Sequence, residues 1–375
     1  MGKCLITKLN GSVSNDKLLK LGEMRFYFKK EDKYSNVLNH GISLTFAENT
    51  TISVVGGNFV DKTDNSNLGT TLSFEADVNK NIFVSNENCY ISVNKYLLLN
   101  ISAVDGEDKT VCYFSIDDLK YSSKINNIYS LSSQVTGDIA NLKNLTALTK
   151  INLYGSQVTG DIANLKDLTA LTNINLYGSQ VTGDIANLKD LTALTKINLY
   201  GTQVTGYIAN LKDLTALTNI NLSGSQVTGD IANLKDLTAL ANIDLSGSQV
   251  TGDIAAFTNM SELKELRLNV PTSLVLGELS SLPTKLLFYS ANRANKFTWN
   301  NTRSISYSIV ALENVVLGES VDKALNDLAS CTNKNTDSNP SWYKVINIIG
   351  TRTSASDTAV QALQSKGYTV SITTA

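Results

Sequence analysis

Histidine is almost absent from this chain, since His40 is the single one in 375 residues. General-base and nucleophilic catalysis usually depend on a histidine, or on a cysteine beside one. The sequence also lacks the motifs G-x-x-x-x-G-K-[ST], G-x-G-x-x-G and H-E-x-x-H, which mark phosphate, dinucleotide and zinc-protease sites. These absences predict a protein that is not an enzyme, with no catalytic residue and no cofactor.

Cysteine is scarce as well, with only Cys4, Cys89, Cys112 and Cys331. No two of them have the C-x-x-C spacing of a zinc or redox site, so we interpret them as free or packed thiols. Cys89 and Cys112 can still meet across neighbouring strands, and their spacing does not decide the matter. The repeated Gly-Asp pairs supply one carboxylate per repeat, whereas calcium sites gather several oxygens at one point. We therefore predict no metal site.

One-sided charge and long apolar runs are also missing. The formal net charge is −2, with 18% charged residues and no long basic run, which argues against nucleic acid as a partner. No apolar run reaches the roughly 18 residues that a membrane-spanning helix needs, so we predict no membrane span. The first residues lack the apolar core and cleavage site of a secretion signal, so we expect no ordinary signal-dependent export.

What the sequence contains is a repeat. A 23-residue unit occurs five times, at residues 145–259, and its second copy reads LTALTNINLYGSQVTGDIANLKD. Ragged copies lie on both sides, at 122–144 and from 260 onward. A fixed period of this size is typical of a solenoid, whose turns bury their apolar residues only by stacking on one another.

The spacing within one unit indicates the kind of solenoid. Residues 148–158 read L-x-x-I-x-L-x-x-S-x-V, which resembles the leucine-rich repeat. The alternation predicts a short strand with Ile151 and Leu153 facing the core, and Asp161 can cap a short helical or 3₁₀ segment after it. The family's ladder asparagine is replaced here by a hydroxyl residue such as Ser156. We expect that hydroxyl to bond the backbone of a neighbouring turn, with fewer bonds than an amide makes.

The chain divides into three regions. Residues 1–118 contain short alternating segments separated by Asn, Gly, Asp and Ser clusters, which predicts an all-β, sandwich-like domain. Residues 119–271 are predicted to form a leucine-rich repeat solenoid, with five full repeats at 145–259 and partial ones beside them. Residues 272–375 combine irregular repeats with a terminal strand, helix and strand. The predicted fold is thus mixed α/β: an N-terminal all-β sandwich-like domain, a leucine-rich repeat solenoid and a C-terminal β-α-β cap.

The two ends of the chain carry a further resemblance. The opening KCLITKLNGSVSNDKLLKLGEMRF is similar to the start of virion-associated, head- or tail-fibre-like proteins from phages and prophages of gut Bacteroidales bacteria. The tail GTRTSASDTAVQALQSKGYTVSI resembles the C-terminal cap of bacterial leucine-rich repeat proteins from the same group. The resemblance implies a virion protein, assembled in the host cytoplasm, whose domain 1–118 docks to other virion proteins. The expected absence of a signal peptide agrees with that assembly route.

The outward positions of the predicted concave strands form columns from repeat to repeat. Tyrosine rings offer flat apolar faces beside the donors and acceptors of asparagine amides, so we predict that this face binds a host-surface glycan or protein. The candidate ligand-binding residues are Lys150, Asn152, Tyr154, Asn173, Asn175, Tyr177, Lys196, Asn198, Tyr200, Asn219, Asn221 and Asp244. Duplication of near-identical repeats also produces such columns without a ligand, and the array can instead act as a spacer.

Two functional hypotheses follow. The first is a non-enzymatic phage virion protein, which docks through residues 1–118 and presents the solenoid to a host-surface glycan or protein. The alternative is a bacterial leucine-rich repeat adhesin or protein-interaction scaffold, located at the cell surface or secreted. A homo-oligomer is left open, because no heptad pattern argues for one.

Overall fold

The computed structural model describes most of the chain, in separate ranges. These are residues 23–28, 40–55, 59–60, 67–69, 71–78, 80–84, 89–94, 98–103, 112–130, 135–270, 275–283, 286, 288–291, 296–299, 311–330 and 345–374. Within them the chain forms three sheets of five, sixteen and seven strands, two α-helices and short 3₁₀ segments. The sixteen-stranded sheet runs from the N-terminal region to the C-terminal end and carries the predicted binding columns.

The N-terminal region consists of two antiparallel layers. Its strands are β1 (Glu23–Phe28), β2 (His40–Phe46), β3 (Thr50–Val55), β4 (Phe59–Val60), β5 (Asn67–Gly69), β6 (Thr71–Phe74), β7 (Lys80–Val84), β8 (Cys89–Asn94), β9 (Leu98–Ala103) and β10 (Cys112–Tyr113). One layer has the order β10-β1-β8-β3-β6, and the other, β9-β2-β7-β4-β5, belongs to the sixteen-stranded sheet. Phe46 meets Phe74 edge to face between the layers, with ring centroids 5.0 Å apart. Buried Leu44, Ile52 and Ile91 extend this apolar core.

Cys89 and Cys112 lie on opposite sides of β1. Both pair with Phe28, Cys89 from β8 and Cys112 from β10. Two inter-strand spacings therefore separate them, roughly 9.6 Å, whereas a disulfide needs Cα atoms closer than about 7 Å. The structure thus decides the question that the spacing left open, against a disulfide between these two cysteines. Cys4 and Cys331 lie outside the described residues.

The solenoid begins by pairing with the N-terminal region. β9 forms a parallel ladder with β11 (Asn127–Ser130), in which Ile101 pairs with Ile128. The first turn consists of a 3₁₀ segment at Ile116–Leu119 followed by β11. The edge of that turn is covered by β9, so its apolar residues do not face solvent.

Each repeat then contributes one strand to each of two parallel sheets, followed by a 3₁₀ segment. The strands are β12 (Lys150–Leu153), β13 (Thr159–Asp161), β14 (Asn173–Asn175), β15 (Gln180–Asp184), β16 (Lys196–Asn198), β17 (Gln203–Tyr207), β18 (Asn219–Asn221), β19 (Gln226–Asp230), β20 (Asn242–Asp244), β21 (Gln249–Asp253), β22 (Glu265–Leu268), β23 (Val275–Glu278), β24 (Phe288–Ala291) and β25 (Lys296–Thr298). The 3₁₀ segments are Ile139–Leu142, Ile162–Leu165, Ile185–Leu188, Ile208–Leu211, Ile231–Leu234, Ile254–Phe257 and Leu279–Ser281. The inward Ile, Leu and Val side chains of the repeats are buried, and each contributes roughly 1.5–3 kcal/mol before conformational entropy is subtracted.

The two sheets differ in register. In the sixteen-stranded sheet each residue pairs with its equivalent one repeat later, as Ile151 does with Ile174. In the seven-stranded sheet the strands slide by two residues, so Thr182 pairs with Gln203 rather than with Thr205. Equivalent side chains therefore form straight columns on the first sheet and slanted rows on the second.

The predicted hydroxyl ladder is wrong. Ser156 and Ser179 have buried hydroxyls with no hydrogen-bond partner, and Thr202 and Ser248 donate to a carbonyl three residues earlier in their own turn, at 2.7 and 2.6 Å. The short hydroxyl side chain does not reach the neighbouring turn, as the longer amide of the family would.

Threonine hydroxyls provide a side-chain hydrogen bond between successive turns. Thr172 Oγ1 donates to Thr149 O, Thr195 Oγ1 to Thr172 O and Thr218 Oγ1 to Thr195 O, each at 3.0 Å. The backbone N–H of each of these threonines donates to the same carbonyl, at 2.8 Å. Successive turns are thus joined by paired side-chain and backbone bonds at the entrance to each strand.

Aspartate caps and glycines fit together between turns. Asp161 Oδ1 accepts a hydrogen bond from Ala163 N at 2.7 Å, as predicted, and the carboxylate also lies against Gly183 of the next turn. Gly183 has φ +103°, and a Cβ there would come within 2.0 Å of Asp161 Oδ1. Tyr207 replaces the aspartate in one turn, and its side chain caps nothing. Gly229 is the glycine of the next turn that faces Tyr207, with φ +102°. A Cβ at Gly229 would lie 3.6 Å from the tyrosine ring.

The C-terminal region is a parallel unit with alternating helices. It consists of β26 (Ala311–Gly318), α1 (Val321–Ser330), β27 (Val345–Gly350), a 3₁₀ segment (Ser354–Ser356), α2 (Asp357–Ser365) and β28 (Thr369–Thr373). β26 extends the predicted β-α-β order to β-α-β-α-β. In the described part of the chain, the helices are too short and too polar to cross a membrane.

Asp322 joins the two halves of that unit. It accepts hydrogen bonds from Thr353 N at 3.0 Å, Thr353 Oγ1 at 2.5 Å and Ser356 Oγ at 2.5 Å. Burial raises the pKa of the Asp322 carboxyl, but these hydrogen bonds and the charge of Arg352 outweigh it, so the pKa lies below its ordinary value. The ionised carboxylate therefore stabilises the contact between α1 and the segment before α2.

We predict that Gly183→Ala destabilises the protein more than Gly229→Ala. Both substitutions force an L-residue into a left-handed conformation, at about 1–2 kcal/mol. Only Gly183→Ala also displaces the capping carboxylate of Asp161, which adds roughly 1 kcal/mol. Denaturant unfolding measures the difference, and hydrogen exchange at Ala163 N localises it. Equal destabilisation by the two variants would contradict the interlock.

We predict that the Asp322 contact makes stability depend on pH. Because the folded-state pKa is lowered, the stabilisation is present above the unfolded pKa of about 3.9 and is lost as pH falls through it toward the folded value. Unfolding free energies of the wild type and Asp322→Asn, measured from about pH 6 to pH 3, should therefore converge as the pH falls. A gap that stays constant over this range would refute the assignment.

Candidate binding surface

The predicted binding residues lie on one face of the sixteen-stranded sheet. Lys150, Asn173 and Lys196 pair directly across β12, β14 and β16, about 4.8 Å apart. Further pairs continue this first column to Asn219 and Asn242. The second column runs in parallel through Asn152, Asn175, Asn198, Asn221 and Asp244. Both columns belong to outward positions, because the residues between them in each strand are buried.

The tyrosines form a third column, placed differently from the prediction. They lie in the turns after β12, β14 and β16, not at outward strand positions. Their rings stack, with centroids 4.2 Å apart between Tyr154 and Tyr177 and 4.4 Å between Tyr177 and Tyr200, at interplanar angles of 14° and 9°. The Tyr154 hydroxyl, together with burial, raises the pKa of the Tyr177 phenol. Most of the aromatic surface in this column is therefore used between tyrosines.

The second column has a structural role in the turns. Asn152, Asn175 and Asn198 accept a hydrogen bond through Oδ1 from the N–H of the tyrosine two residues later, at 3.3, 3.2 and 3.2 Å. Asn221 and Asp244 do the same for Ser223 N and Ser246 N, both at 3.0 Å. One oxygen of each side chain is thus committed, while the Nδ2 groups of the asparagines make no further hydrogen bond to the described protein. These nitrogens are the donors that the column offers to a partner.

The exposure of the first column depends on its residue type. Lys150 and Lys196 are exposed, whereas Asn173, Asn219 and Asn242 are half-buried. Asn219 Oδ1 lies 2.8 Å from Thr218 Oγ1. Since lysine and asparagine occupy equivalent places in the same ladder, the column accepts side chains of different length and charge.

Two further residues extend the columns and were missed from the sequence. Glu265 follows Asn242 and Arg267 follows Asp244 in direct register, and Arg267 Nη2 lies 3.4 Å from Glu265 Oε2. The repeat motif decays after residue 259. The positions of these two residues, one repeat period after Asn242 and Asp244, were nevertheless a signal that could have identified them.

The outward residues of β14 to β22 line a hollow of about 500 Å³. Its charged lining consists of Lys196, Arg267, Asp244 and Glu265, so the formal charges cancel. The rest of its polar lining is asparagine, and the aliphatic residues beneath, such as Ile220, are only 2% exposed or less. The hollow is therefore polar, uncharged overall and able to form hydrogen bonds with both donors and acceptors.

Within the part of the chain that the structure describes, this face carries neither a metal-binding cluster nor a histidine. Among the described residues, no group of three His, Cys, Asp or Glu side chains is placed to hold a metal ion. Asp161 and its copies act as caps, one per turn. His40 is the first residue of β2.

Comparisons with known proteins identify the fold. No protein-family model matches the chain, and no curated protein sequence matches it. Among solved structures, it is similar to the plant peptide hormone receptor RGFR1 in complex with RGF2, with 21% identity and a TM-score of 0.50, over 69% of this chain and 42% of the receptor. It is also similar to the internalin inlF of Listeria monocytogenes, with 18% identity and a TM-score of 0.48, over 70% of this chain and 81% of the internalin.

The leucine-rich repeat fold is thus confirmed, from the parallel ladders and from the likeness to the plant receptor. The chain spans less than half the length of the plant receptor, and the identities show the fold alone. No family model and no curated sequence match bears on the phage resemblance. The virion role therefore stays a prediction from the two ends of the chain.

We predict that Asn198→Asp leaves the turn intact and that Asn198→Leu does not. A carboxylate already performs the same task at Asp244, whereas leucine leaves the Tyr200 N–H without its acceptor, at about 0.5–1.5 kcal/mol. Hydrogen exchange at Tyr200 N and denaturant unfolding measure the effect. If both variants behaved alike, the side-chain bond would not hold the turn.

Proposed function

We propose that this protein is a non-enzymatic interaction scaffold of the adhesin type, which binds a protein or glycan partner on the outward face of β12 to β22. The observation that carries the proposal is the open, polar hollow over five consecutive turns. Columns of donors at regular spacing border it, and none of the chain's own described segments lines it besides these strands.

The architecture supports this role over a catalytic one. A solenoid places equivalent side chains on a long surface, and such surfaces bind extended partners by many repeated contacts. The likeness to a peptide hormone receptor supports the scaffold, and the chemistry of the partner has to come from this chain's own residues. In this proposal the N-terminal strands attach the protein, the C-terminal unit caps the solenoid, and the protein acts at a bacterial cell surface or after secretion.

We expect two arginines on the hollow's face to abolish partner binding. Asn173→Arg with Asn242→Arg adds bulk and charge at positions whose column already accepts lysine, so the fold should persist. Gln180→Arg with Gln249→Arg is the matched control, because these exposed residues lie on the seven-stranded sheet with the same separation in repeats. The probe is immobilised mucin, a protein that carries dense glycans, with the full chain measured by biolayer interferometry.

The first pair should weaken binding by about tenfold or more, and the control pair should stay close to the wild type. Equal binding by both pairs, or no mucin binding by the wild type, would count against the proposed function.

A further inference from the structure

The tyrosine column changes at one defined step. Tyr154, Tyr177 and Tyr200 occupy three successive repeats, and Ser223 and Ser246 occupy the next two. The ring stack therefore ends at Tyr200, inside the array and at a turn whose strand lines the hollow.

The backbone does not change at this step. Gly201 N donates to Ser223 O at 2.8 Å, just as Gly178 N donates to Tyr200 O at 2.8 Å. Ser223 N also keeps the side-chain bond to its own asparagine. Only the ring is missing at this step, where Ser223 is 7% exposed.

The outer face of the Tyr200 ring has no aromatic partner. Tyr177 has a ring against each face and is half-buried, whereas Tyr200 is stacked on one side only and is 38% exposed. The next ring in the column would complete the same stack at about 4.4 Å, the spacing between Tyr177 and Tyr200. A flat, partly apolar ring from another molecule can take that place.

Hydrogen-bonding groups lie on the strands that line the hollow, next to the turns of Tyr200 and Ser223. Asn198 and Asn221 commit Oδ1 to the turns and leave Nδ2 as donors, and Asp244 leaves its second carboxylate oxygen as an acceptor. A sugar ring has the matching groups, because its hydroxyls both donate and accept while its C–H face is apolar.

Charge and apolar content select among partners. The four charged residues of the hollow cancel, which disfavours a strongly acidic or basic ligand. The buried isoleucines offer no apolar patch of the kind that forms the centre of a protein interface. Both observations favour an uncharged ligand rich in hydroxyl groups.

We propose that the hollow binds a neutral carbohydrate chain, with one pyranose ring stacked on the open face of Tyr200 above Ser223. From this ring, the carbohydrate extends along Asn198 and Asn221 toward Asp244. This inference rests on the proposed function and specifies its ligand class and the position of one subsite.

The test uses the full chain and neutral hexasaccharides of glucose, mannose, galactose, xylose and N-acetylglucosamine, with a heparin hexasaccharide as the acidic comparison. Binding is measured by isothermal titration calorimetry. Tyr200→Leu keeps apolar bulk but removes the flat face, and Tyr154→Leu makes the same change at the other end of the stack. Ser223→Tyr with Ser246→Tyr continues the stack over the proposed subsite.

We expect at least one neutral hexasaccharide to bind and the heparin hexasaccharide to bind more weakly. Tyr200→Leu and the double serine variant should each lose about tenfold in affinity, roughly one aromatic stacking contact, while Tyr154→Leu should stay within about twofold. Circular dichroism checks that each variant is folded.

Three results would overturn the inference: no neutral hexasaccharide binds, the two tyrosine variants lose affinity equally, or the double serine variant binds like the wild type. If the Asn173→Arg and Asn242→Arg pair abolishes mucin binding while the serine variant leaves it unchanged, the proposed function stands and the Tyr200 subsite falls.

Discussion

Stacking in a constant register is the constraint on which this structure depends. A single turn presents its Ile, Leu and Val residues on both sides, and only a neighbouring turn can cover them. The 23-residue period keeps equivalent residues opposite each other, so Ile151 pairs with Ile174. For the same reason, the hydroxyl of Thr172 reaches the backbone carbonyl of Thr149, the equivalent residue one turn earlier. The first turn obtains its neighbour from β9 of the N-terminal region. The columns on the outward face follow from the same register.

Much of the polar chemistry in the repeat is used to hold turns together. Threonine hydroxyls bond between turns, aspartates cap 3₁₀ segments, and asparagine oxygens close the turns after the strands. A side chain that looks available from its place in a column therefore often already uses one of its polar atoms in a hydrogen bond within the protein. The groups that remain for a partner are the asparagine Nδ2 atoms, the lysines, the second oxygen of Asp244 and the open face of Tyr200.

The sequence predicted the repeat architecture well, because period and apolar spacing determine a solenoid directly. It also placed nine of the twelve candidate residues on one face of the sheet, whereas the three tyrosines lie in the turns after the strands. It missed the role of the asparagine oxygens, since that role depends on the turn geometry after the strand. It missed Glu265 and Arg267 because the motif decays before the register does. The serine ladder failed on side-chain length, and β26 was missed because the C-terminal region has no period to guide the assignment.

The most direct test is to measure which backbone amides become protected from exchange when a glycan-bearing partner binds. Hydrogen–deuterium exchange, followed by mass spectrometry, compares the full chain with and without mucin glycopeptides. We expect slower exchange in the strands and turns at 196–201 and 219–224, with the seven-stranded sheet unchanged. Protection confined to the seven-stranded sheet or to the N-terminal strands would contradict this expectation.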